Sequence, residues 1–140
     1  MSIYLEDLSP ADDDDLETWD VVIEALGHES SGQPLSHERL SAIFSFFEAN
    51  APEDPNDAVW AAVHLVESQA GYRACLVASL LRKPNVFSQT LLERLLWSSK
   101  DDTGEVREDL VALTRNLLRD PLIPERLGRS LRRTLDLTTR

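Results

Sequence analysis

Leu35-Ser36-His37-Glu38-Arg39-Leu40-Ser41-Ala42-Ile43-Phe44-Ser45-Phe46-Phe47 contains a whole helix start. Ser36 is a preferred N-cap residue, because its hydroxyl can accept one of the orphan N–H groups of a first turn. Leu35 before it and Leu40 after it have the spacing of a hydrophobic staple. Leu40, Ile43, Phe44 and Phe47 then recur at the helical period and turn one apolar face toward a core. Asn50 and Pro52 end the segment.

The same grammar extends in both directions. Upstream, Ser9-Pro10 reads as a cap followed by proline at the first helical position. Leu16, Trp19, Ile23 and Leu26 follow at helical spacing, and Gly27 is the expected terminator. Residues 1–9 form an N-terminal extension. Downstream, Asp54-Pro55 opens a third helix with Val59, Val63 and Val66 on one side, and Gly71 breaks it. A fourth, with Tyr72, Cys75, Leu76 and Leu80, stops before Pro84. Ser88 is read as the cap of a fifth, with Leu91, Leu92, Leu95 and Leu96. Asp102 with Glu105 suits a capping box for a sixth, carrying Val106, Leu110, Leu113 and Leu117. The last begins near Pro124 and uses Leu127, Leu131 and Leu135. No stretch alternates as a strand would. The expected fold is all-α, with six to seven antiparallel helices.

Leu35-Ser36 has a counterpart in Phe87-Ser88. The offset carries the third helix onto the sixth and the fourth onto the seventh, so residues 36–83 and 88–137 read as two three-helix units. Stacked antiparallel helices with a repeat make a fragment of α-solenoid of the HEAT or armadillo kind. An irregular helical bundle is the alternative.

The chain has 140 residues, the size of a single domain 1–140, with a net charge of −11. That charge argues against a nucleic-acid backbone or an anionic membrane as partner, since both need Lys and Arg. It favours a basic partner. Residues 1–70 hold sixteen acids and one base, Arg39, whereas residues 71–140 hold nine acids and thirteen bases. Asymmetry of this kind hints at an interaction surface. Cys75 is the one cysteine and sits among apolar neighbours, as a small buried hydrophobe would. The first residues have neither a basic nor an apolar signal region, and no apolar run reaches the roughly 18 residues of a membrane helix. The expected location is the cytoplasm.

The residues make no case for an enzyme. His28, His37 and His64 lie in separate segments without metal-ligand spacing, and there is no glycine-rich phosphate loop. Asp12 to Asp15 lack the alternating ligands and turn glycine of a calcium loop, and acids suit a first helical turn. No metal and no cofactor are expected.

Three constellations are candidates for binding. Asp13, Glu17, Asp20 and Glu24 form one carboxylate stripe along the first helix. Like charges at i, i+4 cost about 0.2–0.5 kcal/mol per pair, so the stripe is either a solvated face or one kept for a basic partner. Asp57, Trp60, His64 and Glu67 share a face of the third helix, with Glu53 and Asp54 near its start. Trp60 is read first as buried against a neighbouring helix, and second as an interface anchor inside a polar rim. Arg126, Arg129, Arg132 and Arg133 lie opposite the leucines of the last helix, where structural support ranks first: arginines suit the C-terminal end of the dipole, and some can pair with the acidic first half of the same molecule or of a second copy.

Trp60-Ala61-Ala62-Val63-His64-Leu65-Val66-Glu67-Ser68, then Tyr72, Leu80-Leu81 and Leu91-Leu92-Glu93-Arg94-Leu95-Leu96-Trp97-Ser98, resembles the helical immunity proteins of bacterial polymorphic toxin systems, including contact-dependent growth inhibition. Those families show a helix with His, two apolar residues and Glu, then a Tyr, and later an Arg-Ile/Leu-Leu-Asn-Ser-like string. Trp97 stands where Asn would be expected. The resemblance implies a binding protein that neutralises a cognate toxin domain. Many such toxins are nucleases with basic clefts, which an acidic antidote can occlude. Electrostatic steering would raise association toward ~10⁸–10⁹ M⁻¹s⁻¹ at low salt. The residues assigned to that surface are Asp13, Glu17, Asp20, Glu24, Asp54, Asp57 and Trp60, in a monomer or weak dimer. The alternative is a helical-repeat adaptor that bridges other proteins, with no toxin involved.

Overall fold

The computed structural model describes residues 16–29 and 34–139. Seven helices occupy them: α1 (Leu16–Glu29), α2 (His37–Asn50), α3 (Asp57–Glu67), α4 (Tyr72–Arg82), α5 (Val86–Ser98), α6 (Glu105–Arg119) and α7 (Glu125–Thr138). No strand occurs among the described residues, so the fold is all-α. The Ser9-Pro10 start and the Asp12 to Asp15 run lie outside the described residues.

Local chemistry explains most of the boundaries and corrects four of the expected ones. Ser36 caps α2 as expected, accepting the Arg39 N–H at 3.1 Å. Gly27 does not end α1. Among the described residues only Gly71 adopts positive φ, at 80°, and a glycine outside that left-handed region leaves the helix free to continue. Asn56, not Asp54, caps α3, through its side-chain oxygen and the Val59 N–H at 2.9 Å. Asn85 caps α5, and Ser88 is the third helical residue of a reciprocal capping box. The Asn85 side chain accepts from the Phe87 and Ser88 N–H groups, and the Ser88 hydroxyl accepts from the Asn85 N–H at 3.1 Å. Asn85 is the first residue after Pro84 able to serve. The Asp102–Glu105 box does not form. Gly104 precedes α6 without a side-chain bond, and Glu105 and Glu108 instead meet the positive end of the helix dipole.

Helices pack mainly with alternate neighbours. α1 lies on α3, α3 on α5 and α5 on α7, while α2 lies on α4. α6 closes against both α5 and α7. α5 sits at the centre, touching α2, α3, α4, α6 and α7. Its residues from Val86 to Leu92 are all buried, and the polar ones among them are hydrogen-bonded. Thr90 donates to the Val86 carbonyl at 2.7 Å, and Gln89 donates to Glu93 at 2.6 Å.

An aromatic chain joins three helices. Trp19 of α1 stacks on Phe47 of α2 at 6.2 Å, and Phe47 stacks on Phe87 of α5 at 4.5 Å. Phe44 meets Phe87 at 5.0 Å. Such pairs contribute about 0.5–1.5 kcal/mol each beyond area burial. Cys75 is buried, as its neighbours implied.

Among the described residues, three ion pairs cross between helices or loops, each joining an acid of the first half to an arginine of the second. Glu48 meets Arg82 at 2.8 Å, Glu67 meets Arg94 at 2.7 Å, and Asp54 meets Arg126. The charge asymmetry of the sequence is thus partly folded back on itself. Burial pushes the Glu48 carboxyl up, but hydrogen bonds from Arg82 and Ser79 outweigh it and hold the group below its usual value.

Arg107 of α6 is buried and has no carboxylate partner among the described residues. Its guanidinium donates to the Leu96 carbonyl at 2.8 Å, the Thr138 carbonyl at 2.8 Å and the Ser99 hydroxyl at 3.3 Å. Leu96 lies in the last turn of α5 and Thr138 ends α7, so one cation serves the negative ends of two helix dipoles. It thereby locks the end of α5 that carries Trp97.

Candidate functional site

The leucines of α5 at 91, 92, 95 and 96 are buried, which leaves Arg94 and Trp97 on the outer face and Glu93 half-buried beside them. On α3, burial of Val59, Val63 and Val66 likewise directs Trp60 and His64 outward. α3 and α5 are neighbours, and α7 flanks α5. Residues from these three helices and from the loop before α3 therefore line one open groove of about 390 Å³. Trp60 and Trp97 both border it, with 40% and 45% of their surfaces exposed.

Trp60 is thus not buried against a neighbouring helix, as the sequence favoured. The apolar stripe of α3 is satisfied by its valines, and no described helix covers the opposite face. Its ring centroid lies 6.2 Å from that of His64. Trp97 carries the Lys100 ammonium 5.8 Å from its ring centroid.

The charged rim is largely paired. Asp54 and Arg126 bond across the edge where the loop before α3 meets α7. Glu67 and Arg94 bond between α3 and α5, which raises Arg94 further above its usual value. An adjoining depression is bordered by Glu67, Tyr72, Arg94 and Trp97. Half-burial there pushes the Tyr72 phenol above its usual value. Glu93 is held differently. It accepts the Gln89 amide at 2.6 Å, the Ser130 hydroxyl at 2.9 Å and the Thr134 hydroxyl, and no cation pairs with it among the described residues.

The other sequence candidates fall elsewhere. Asp13 lies outside the described residues, and Glu17 is placed only as a position in α1. Asp20 and Glu24 are exposed on α1, and Asp57 is exposed in the first turn of α3. The acids bordering the groove are Glu53, Asp54 and Glu93, not the α1 stripe. Glu93 and Arg94 carried no binding assignment in the sequence, Arg126 was ranked as structural support, and Trp97 stood out only as a departure from a family pattern. One signal was available. Glu93, Arg94 and Trp97 are the non-aliphatic residues of an otherwise leucine-rich run, spaced to share the face away from the core.

No group of three or more His, Cys, Asp or Glu side chains among the described residues could hold a metal ion. No described helix is long and apolar enough to cross a membrane. Comparisons with protein-family models, with curated proteins and with solved structures find no match to this chain.

Proposed function

We propose that this protein is an immunity protein that binds and neutralises a cognate bacterial toxin domain through the groove bordered by Trp60 and Trp97. The observation that carries the reading is a convergence in space. Trp60, His64, Glu67, Tyr72, Arg94 and Trp97 come from two stretches of sequence that resemble such proteins, and they gather on one open face. Two tryptophans within a charged rim have the composition of a binding hot spot. A net charge of −11 adds long-range attraction to a basic partner, such as the substrate cleft of a nuclease.

The test is rescue. The toxin to test is the variable C-terminal domain of a large secreted protein, which an immunity gene should follow immediately downstream, expressed in cells with and without this chain. Growth should be restored by the parent protein and lost again with the double variant Trp60→Ala, Trp97→Ala. Both positions are solvent-facing, so circular dichroism should show the variant folded. Undiminished killing in the presence of the parent protein, or the lack of any such neighbouring gene, overturns the toxin reading. Rescue that survives the double variant moves the interface away from this groove.

A further inference from the structure

We infer that the groove between α3, α5 and α7 is a receptor for an arginine side chain presented by the partner protein. The inference deepens the protein-binding reading above and rests on it for the source of the arginine. Its physical basis is a count of charges and acceptors within the groove.

Of the arginines bordering the groove, Arg94 is committed to Glu67 and Arg126 to Asp54. Glu93 is the half-buried carboxylate there, and no cation meets it among the described residues. A carboxylate has about four lone-pair sites. Oε1 of Glu93 uses two, on Ser130 and Thr134, and Oε2 uses one, on Gln89. One site on Oε2 remains, on a negative charge partly withdrawn from water. Gln89 adds a second acceptor. A carboxylate can only accept, so the Gln89 atom facing it is the amide nitrogen, which leaves the Gln89 carbonyl oxygen. That oxygen has no donor among the described residues, although only 8% of Gln89 is exposed. Gln89 borders the groove too.

The groove therefore offers a half-buried carboxylate that no cation meets among the described residues, two free acceptor sites and two indole rings. A guanidinium answers all three features. It is cationic, it donates from a planar fork that can reach two acceptors at once, and its face stacks on aromatic rings. A lysine ammonium supplies the charge without the planar face or the fork. A neutral peptide leaves Glu93 without a counter-charge. The Ser130 and Thr134 hydroxyls from α7 and the Gln89 amide hold the carboxylate in place before any partner arrives, which lowers the ordering cost of binding.

The experiment titrates the full-length protein with N-acetyl-arginine amide, following the three indole N–H signals by nitrogen-edited NMR. Trp60 and Trp97 should shift with saturation, while Trp19, 3% exposed in the core, stays fixed and reports that the fold is intact. The citrulline amide, a neutral isostere, should bind at least about tenfold more weakly, and so should arginine amide to the Glu93→Gln variant. Should Glu93→Gln disturb packing, as the Trp19 signal would reveal, Trp97→Leu leaves the Glu93 bonds in place and should still weaken arginine binding severalfold. Equal binding of citrulline, absence of saturable shifts, or unchanged affinity in Glu93→Gln or Trp97→Leu overturns the proposal. Equal affinity for lysine amide overturns the assignment to arginine. No toxin enters this titration. Failed rescue with intact arginine binding removes the toxin alone, and intact rescue with failed titration removes the arginine anchor alone.

Discussion

Replacing Arg107 with methionine should be among the most damaging single changes in the protein. Methionine keeps the aliphatic stem that fills the space and deletes the guanidinium. Three hydrogen bonds vanish, two of them to helix-terminal carbonyls at 2.8 Å. Hydrogen bonds from a charged group contribute about 1.5–3 kcal/mol each, so the two strong ones amount to roughly 3–6 kcal/mol. Relief of the cost of burying the cation offsets part of that. Leu96 and Thr138 carbonyls, however, lose their interhelical donor, and the Ser99 hydroxyl is 3.5 Å from the Leu96 carbonyl, too distant to replace it. A net loss of about 3 kcal/mol follows, or roughly 10 °C in melting temperature for a chain of this length. Arg107→Lys should fall between, because one ammonium reaches one carbonyl well and the other poorly. Urea denaturation followed by circular dichroism measures the difference. A loss under about 1 kcal/mol for Arg107→Met would refute the idea that one cation holds the ends of α5 and α7 together.

Asn85→Ala should cost about 1–2 kcal/mol, because it opens a buried capping box, and should exceed the cost of Ser36→Ala at an exposed cap, both read from denaturant midpoints. Glu48 ionises more readily folded than unfolded, so its contribution is fully present above its ordinary pKa of 4.5 and is lost as pH falls through the depressed folded value. Parent and Glu48→Gln stability curves should converge in acid, and a gap that stays constant down to pH about 2 would contradict the Arg82 and Ser79 assignment. Gly71→Ala should destabilise by about 1 kcal/mol at φ 80° despite open space around the glycine, measured by thermal melting. Tyr72 has a raised pKa through burial, so the stability it supports is intact below the ordinary value of 10 and declines as pH rises past it, a decline Tyr72→Phe should abolish in alkaline melts.

Helix identity was legible because each segment carries its own period and punctuation. Leu40, Ile43, Phe44 and Phe47 are all buried, as their spacing required. Caps were less legible, since several neighbouring residues can serve. Ser88 and Asn85 are both good cap residues, and the position of Pro84 decides between them. Asp54 and Asn56 pose the same choice at α3. The proposed binding face was half legible. Trp60 was singled out with its acidic neighbours, but its exposure could not be foreseen, because a second apolar face on a helix is buried or bare according to which helix lies beside it. Glu93 looked like an ordinary solvated glutamate until α7 brought Ser130 and Thr134 to it.

By itself, then, the sequence determined an all-α chain of six to seven amphipathic helices and most of their core faces, because those follow from local periodicity and backbone sterics. It also set the total charge and its uneven division along the chain. Tertiary structure alone decided where that charge ended up. It spent Glu48, Asp54 and Glu67 on arginines of the second half, left Glu93 without a cation among the described residues, and brought Trp60 and Trp97 to one groove. Those outcomes depend on α2 lying on α4 and on α3, α5 and α7 lying side by side, which is long-range packing that no local pattern encodes.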